Sequence, residues 1–539
     1  MNTTRETAAT SDPDVIVIGA GPNGLVAATY LANAGLRVLV LEANERRWGG
    51  ALGSEASTRP GFVHDVGAAF FPFAKSSPAF RGLDLARAGL AFANAEIESA
   101  HPALDGSCAG LARDLDRIPQ LLAHDADAER LGQLLRWHRK IEPRLFEAML
   151  RPLPNLPNVA KLGLVNLLKM GALFTASGAR LSRRLFRGAD ARRIIPALAL
   201  HTDVGPEDRL GAGIGYMLAV TASTGGFSVP IGGAQAFADA IVHRLEAAGG
   251  SVRLGAPVTK ILTEDGRAFG VRTRCDGVET DVRARVAVVA NTSVPSLFCD
   301  LIDAHVIPGR VQRFSSRFPS GWGTFKVDWA LRAPVPWSHA TARLAAVVHT
   351  GDSIEDLARF TSEVRAGQIP SNPYLVIGQQ SLVDPSRAPE GAHTLWAYSR
   401  VPPTVEGGWA LHAEQFADRI DARIEGLAPG FSDTIIERRV TSPRDLQDMN
   451  ANLIGGDLGG GSNAWHRQLF FRPLFPYFRY RTPLRNLYLS SSYAHPGAGV
   501  HGMCGMNAAH AVLDDLGATR RLPPSPSSSG DEMAPPATG

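Results

Sequence analysis

The sequence predicts an α/β protein. One domain is built on a parallel sheet and assembled from three separated stretches of chain, with a mixed α+β domain inserted between them. Three observations carry this. Residues 15–43 run strand, glycine turn, helix, strand and acid in order. Residues 225–300 return to the same alternation. The final "NLYLSSSYAHPGAGVHGMCGMNAAHAVLDDLG" reads as strand, glycine-rich loop and helix, with Gly517 as its stop.

The first unit can be justified residue by residue. Val15 to Ile18 is a short apolar run suited to a strand buried on both faces. Gly19, Gly21 and Gly24 follow in G-x-G-x-x-G spacing. The first glycine makes a tight turn, the second lets a pyrophosphate approach, and the third lets the helix pack close to the strand. Leu25 to Ala34 reads as that helix and Gly35 as its end. A second buried strand, Leu36 to Leu41, ends at Glu42. An acid about 20 residues beyond the glycines is placed to accept hydrogen bonds from a ribose. This is a Rossmann-type dinucleotide fingerprint, though it does not by itself separate FAD from NAD.

Farther on, "GGAQAFADAIVHRLEAAGG" reads as a helix and "SVRLGAPVTKIL" as a strand. A hairpin turning at Asp276-Gly277 precedes a buried strand, Val286 to Ala290. Residues 76–224 read as largely helical. Residues 301–475 mix strand-like runs such as "PYLVIGQQS" and "HTLWAYSR" with a helix around Leu411 to Leu427. The expected domains are therefore 12–75, 225–300 and 476–518 for nucleotide binding, and 76–224 and 301–475 for the substrate. Residues 1–11 and the Pro/Ser-rich 521–539 are expected to be disordered.

Composition narrows the function. The 539 residues suffice for two domains, and a net charge of +3 gives no global nucleic-acid footprint. Cys108, Cys275, Cys299 and Cys504 show no C-x-x-C spacing, so neither a disulfide framework nor a metal site is expected. They fit a reducing, cytoplasmic setting, and the polar N-terminus offers no apolar signal segment. The long uncharged stretch Leu210 to Ala238 is broken by Gly225, Gly226, Pro230, Gly232 and Gly233, so it reads as buried interior and loop. Gly211, Gly213 and Gly215 follow no buried strand, so a second dinucleotide site is disfavoured.

Four segments carry a family resemblance: "VIVIGAGPNGLVAATYLANAGLRVLVLEA", "RRWGGALGSE" followed by "PGFVHDVG", "GGFSVPIGGAQAFADAI", and "PLRNLYLSSSYAHPGAGVHGMCGMNAAHAVLDDL". With them the chain resembles the phytoene desaturase-like flavoproteins, FAD-dependent oxidoreductases that include carotenoid desaturases and retinol saturases. The resemblance implies FAD at Gly19, Gly21, Asn23, Gly24, Glu42 and Ala43, and along Arg47, Gly49, Gly50 and Ala51. It also implies backbone contact to adenine at Val258. It implies a loop beside the flavin through Gly499, Val500 and Gly502, and a helix from near Met506 that carries Asn507. The positive end of that helix would stabilise charge gained on reduction. Ser491 departs from the family, which usually has glycine there, and puts the local flavin geometry in doubt.

What the resemblance implies overall is a discontinuous Rossmann-type FAD-binding domain with an inserted mixed α+β substrate domain. The expected reaction is hydride transfer from a largely apolar, lipid-like substrate, by desaturation or double-bond rearrangement. Oxygen, a quinone or another acceptor would take the electrons. Oxidation of an amine or alcohol on the same fold is an alternative, and a flavin-binding scaffold with little turnover is another. His495 is the candidate catalytic residue, by polarising a substrate or removing a proton; the alternative is that it and His501 shape the loop. His64 and Asp65 face the cofactor cavity or form a structural turn, the turn being favoured. The basic stretch 161–193, read as a helix, puts Arg180, Arg183, Arg184 and Arg187 on one face beside Phe174, Leu181 and Leu185. It is either a solvated basic face, a peripheral membrane contact, or an oligomer contact.

Overall fold

The computed structural model describes residues 12–517; the expected disordered tails, 1–11 and 521–539, lie outside the described residues. Five strands form a parallel sheet in the order Leu487–Leu489, Ala287–Ala290, Val15–Ile18, Val38–Leu41, Ser251–Arg253. All four pairings are parallel. The central strand is wholly buried, which is why its sequence is continuous and apolar rather than alternating. Helix Pro22–Asn33 packs against both Ala234–Ala247 and Met503–Asp515. All three expected stretches of chain thus contribute strands to one sheet.

The hairpin turns where expected: Asp276 (φ 50°) and Gly277 (φ 78°) both take left-handed backbone, as a type I′ turn requires. "SVRLGAPVTKIL" is not one strand. Ser251–Arg253 edges the parallel sheet, and Val258–Glu264 joins a separate three-stranded antiparallel sheet. Gly255 (φ 61°) and Pro257 turn the chain between them.

The inserted domain carries a seven-stranded sheet, in the order Ile435–Thr441, Gly323–Leu331, His393–Val401, Val376–Gly378, Ala345–His349, Ile97–Pro102, Cys108–Leu111. Helix Trp409–Leu427 buries Trp409, Phe416, Ile420 and Ile424 in the same core as this sheet. Two of the strands correct the helical reading of residues 76–224. "IESAHP" is buried throughout yet polar at Glu98, Ser99 and His101, so it shows no alternation. Its polar groups find partners only in the tertiary fold: Glu98 accepts from the Phe227 N–H at 2.6 Å and pairs with Arg113. Residues 76–92 also move. Phe80, Leu83, Leu85 and Leu90 pack in the core of the parallel-sheet domain, not in that of the inserted one.

The uncharged stretch divides into helix Ala212–Thr224, a short strand and the helix from Ala234. Gly215 is a packing glycine, since a Cβ there would stand 2.0 Å from the Ile195 carbonyl oxygen. Among the described residues no helix is long and apolar enough to cross a membrane. The basic stretch is not one helix. Leu164–Phe174 ends before Gly178–Leu185 begins, and the Ser177 hydroxyl accepts from the Arg180 N–H to start the second. Leu181 is buried, Leu185 half-buried, and the three arginines of that second helix are exposed.

Candidate active site

In open α/β sheets, ligands bind outside the carboxyl ends of the strands. Here those ends carry Gly19, Glu42, Asn291 and Ser490 side by side. Gly19 turns with φ 91°, and helix Pro22–Asn33 starts at Gly21 with no side chain capping it. Its first N–H groups and its positive end are left for an anion. The glycines are needed for space: a Cβ on Gly24 would stand 2.2 Å from the Gly19 carbonyl oxygen, and one on Gly21 2.8 Å from Asn291 Nδ2.

Glu42 is folded onto this turn. One carboxylate oxygen accepts from the Ala20 N–H at 2.6 Å, the other from the Asn44 N–H at 2.9 Å. Each oxygen keeps lone pairs for further donors. Ala43 beside it is exposed. The Gly49 N–H donates to the Ala20 carbonyl at 2.8 Å, so the glycine pair lies along the same turn. Gly49 (φ 104°) and Gly50 (φ 55°) both need left-handed backbone. Arg47 ties back to the Gly50 carbonyl, and the Ala51 carbonyl accepts from the Ala68 N–H. Val258 stands two residues beyond Ala256, whose N–H donates to the Glu42 carbonyl at 2.8 Å.

The C-terminal loop closes the other end of the groove. Its helix begins at Met503, not Met506, with Gly502 (φ 68°) before it and no side-chain cap from that residue. The His501 Nδ1 accepts from the Met503 N–H at 3.1 Å, so its proton sits on Nε2, which is buried without a partner. Burial lowers its pKa to about 3. Gly499 (φ 134°) lies against the Phe73 ring. Val500 (φ 48°) is a β-branched residue held in left-handed backbone, a strain seen mainly where function fixes the chain. Asn507 Nδ2 donates to the Leu150 carbonyl and to the Tyr480 hydroxyl. Ser491 is buried, outside the left-handed region, and needs no glycine for its backbone.

These residues fit FAD. Asn23 Oδ1, Asn507 Oδ1 and His501 Nε2 are buried polar atoms without protein partners; Asn23 and Asn507 are predicted cofactor positions, and His501 lies in the loop expected beside the flavin. The uncapped start of helix Pro22–Asn33, the start of helix Met503–Asp515 and a carboxylate share the groove with them. The model of the family described as flavin containing amine oxidoreductase matches residues 23–513. The chain belongs to that family. This flavoprotein is therefore an FAD-dependent oxidoreductase.

Its relatives agree. It is 28% identical to the mouse (Mus musculus) pyridine nucleotide-disulfide oxidoreductase domain-containing protein 2, over 93% of this chain and 94% of that one. It is 27% identical to the hydroxyneurosporene desaturase of Cereibacter sphaeroides, over 94% and 99%. It is 26% identical to the lycopene-forming phytoene desaturase of Paracoccus sp., over 93% and 97%. Its fold matches an oxidoreductase from Methanosarcina mazei (TM-score 0.60, 18% identity, 93% of this chain and 99% of that one).

His495 sits differently from a free base. Its Nε2 bonds the Met149 carbonyl at 2.9 Å, and burial lowers its pKa to about 4. His64 and Asp65 belong to a structural lock. Asp65 accepts from Ser54 and the Ala234 N–H and pairs with buried Arg387, which also holds Asp384. The His64 Nε2 bonds Thr58 at 2.9 Å.

Sequence reasoning missed several residues. Asn291 follows directly on the buried strand Ala287–Ala290, and its place at a strand's carboxyl end was a usable signal. Buried Arg472 donates to the carbonyls of Gly459, Gly460 and Ser492 beside the flavin loop, and nothing local marks it. A hydrogen-bonded file also crosses the inserted sheet: Tyr398 to His201 (3.1 Å), His201 to His349 (2.7 Å), His349 to Ser99 (3.0 Å), Ser99 to His101 (3.0 Å). These residues are far apart in sequence, so no spacing announces them.

Proposed function

We propose that this flavoprotein takes a hydride from a carbon of a largely apolar, isoprenoid- or lipid-like substrate, creating or rearranging a carbon–carbon double bond. The observation that carries the reading is the charge around the flavin loop. Residues 458–513 contain no Asp or Glu. Arg472, buried there, hydrogen-bonds to carbonyl oxygens, and the nearby Asp457 and Asp203 carboxylates already accept from backbone N–H and side-chain donors. An ammonium substrate brought beside that guanidinium is repelled, while a hydrocarbon is not. The names of the hydroxyneurosporene desaturase and the phytoene desaturase support the same class.

FAD, when bound, accepts the hydride and passes its electrons on, in this reading to oxygen or a quinone. The protein's own residues position and exclude. Glu42 would receive the ribose hydroxyls, and the helix starts at Pro22 and Met503 would offer their positive ends to the cofactor's anionic groups. The His501 Nε2–H offers an unpaired donor. Phe73 packs edge-on against His501 and against Phe146, keeping water from the loop. His495 clamps the loop to the end of helix Asp125–Leu150 and stays neutral at pH 7. It positions rather than abstracts; the reaction then rests on alignment of the substrate C–H bond.

A second reading has one observation in its favour. Phe70, Trp396 and Tyr398 form an aromatic row, with centroids 5.9 and 5.4 Å apart, which would suit an amine or alcohol oxidase. Anaerobic mixing of the FAD-loaded protein with candidate donors separates the two. Bleaching by unsaturated isoprenoids and not by primary amines or alcohols is expected. Bleaching by amines or alcohols alone overturns the proposal, and bleaching by none supports the scaffold alternative.

A further inference from the structure

Large apolar side chains are exposed at sixteen described positions, and nine of them fall in residues 156–168 and 465–475. Helix Leu164–Phe174 is apolar on both sides. Met170 and Leu173 face inward, yet Leu164 (73% exposed) and Leu168 (66%) face out, with Val165 beside them. Its exposed side is apolar but for Lys169, the pattern of a helix lying at a lipid surface. In the second segment Phe471 (56% exposed) and Phe475 (64%) project similarly.

The two segments adjoin. The Arg479 side chain donates to the Leu153 carbonyl at 2.6 Å. At the other end, Phe174 packs on Gly213, while Leu210 and Gly211 line a cavity of about 580 Å³ together with Trp465 and His466. This surface also adjoins the active site, because the carbonyls of Met149 and Leu150, just before it in the chain, hold His495 and Asn507.

The two stretches carry charge of one sign, and the cavity between them holds Asp203, Glu207 and Asp208. Residues 148–189 hold seven Lys and Arg and no acid, and residues 458–513 hold five Arg and no acid. Carboxylates bordering these stretches are already engaged: Glu147 with Arg151, Glu207 with Arg183, Asp208 with Arg365. Asp203 accepts from the Ser462 hydroxyl and the Asn463 N–H.

We propose that helix Leu164–Phe174 and the 465–478 loop form a docking surface for an anionic lipid bilayer. The apolar side chains enter the interface, and Lys161, Lys169 and Arg479, all exposed, meet the headgroups. A second copy of the chain fits less well, because a two-fold contact would set this basic face against itself. The proposal goes beyond the reaction and holds whichever bond is oxidised.

The test is co-sedimentation of the full-length, FAD-loaded protein with vesicles of phosphatidylcholine alone or mixed with phosphatidylglycerol. Pelleting with the mixed vesicles, weakened by salt, is expected. Leu164→Glu/Leu168→Glu and Phe471→Glu/Phe475→Glu should each reduce it by about tenfold or more with flavin absorbance unchanged. All four positions are exposed, so folding is spared. No pelleting with anionic vesicles at low salt overturns the proposal, as does pelleting that neither variant changes. A lipid-free dimer that the same variants dissociate assigns the surface to a second copy instead.

Discussion

Gly505 and Asn23, from opposite ends of the chain, meet where the first and last helices cross. A Cβ on Gly505 would stand 2.1 Å from the Asn23 carbonyl oxygen. That contact locks the fingerprint helix to the flavin-loop helix, so both positive ends share one groove. Gly505→Ala must push the helices apart. We expect a loss of ~3 kcal/mol or more and a protein purified with little FAD, seen in thermal melts and flavin content. Gly171→Ala is the contrast. It lies in a helix with nothing within 4 Å of the new methyl, and should gain ~1 kcal/mol.

Glu42→Gln keeps the shape and removes the charge that accepts from the Ala20 and Asn44 N–H groups. Charge-assisted bonds are worth ~1.5–3 kcal/mol each. Titration of the apoprotein with FAD should show binding weakened by roughly 10- to 100-fold. Unchanged affinity would remove Glu42 from the site.

His495→Gln retains a donor for the Met149 carbonyl, while His495→Ala does not. The clamp reading expects the Gln variant to keep most of kcat and the Ala variant to lose it. It also expects no ionisation of His495 in the kcat profile between about pH 5 and 8, since its pKa is lowered to about 4. Equal, severe loss in both variants would restore it as a base.

Acid should unfold this protein early. Burial lowers His64, His138 and His495 to about 4, and His101, His201 and His501 to about 3, with His349 also well below 6.5. Above pH 6.5 folded and unfolded chains are both neutral at these rings. Below it only the unfolded chain takes up protons, so stability falls as pH drops from 6.5 toward 4, by ~1.4 kcal/mol per pH unit for each proton. Denaturant unfolding at several pH values should show multi-proton uptake. His349→Gln should flatten the slope.

Much of the cofactor half was legible. Strand, turn, helix and acid occur within one short segment, where local sterics and local hydrogen bonds decide the backbone. Less was legible in the inserted domain. "IESAHP" is an interior strand whose polar residues are satisfied by Arg113, Phe227 and His349, all outside the strand itself. The helix read through Ser177 and Gly178 breaks because the Ser177 hydroxyl caps a new start there.

The sequence by itself determined the dinucleotide unit, the hairpin at Asp276-Gly277, and the terminal strand and helix; FAD and the oxidoreductase class followed from the family resemblance that these segments carry. Those features rest on glycine conformations, apolar runs and capping, which act between near neighbours. Only the tertiary structure decided that Asn291 joins the groove, that His495 is spent on Met149, that Arg472 is buried among carbonyls, and that Leu164 and Phe471 stay exposed. Each of these depends on which distant segment arrives to satisfy a polar group or fails to arrive to cover an apolar one.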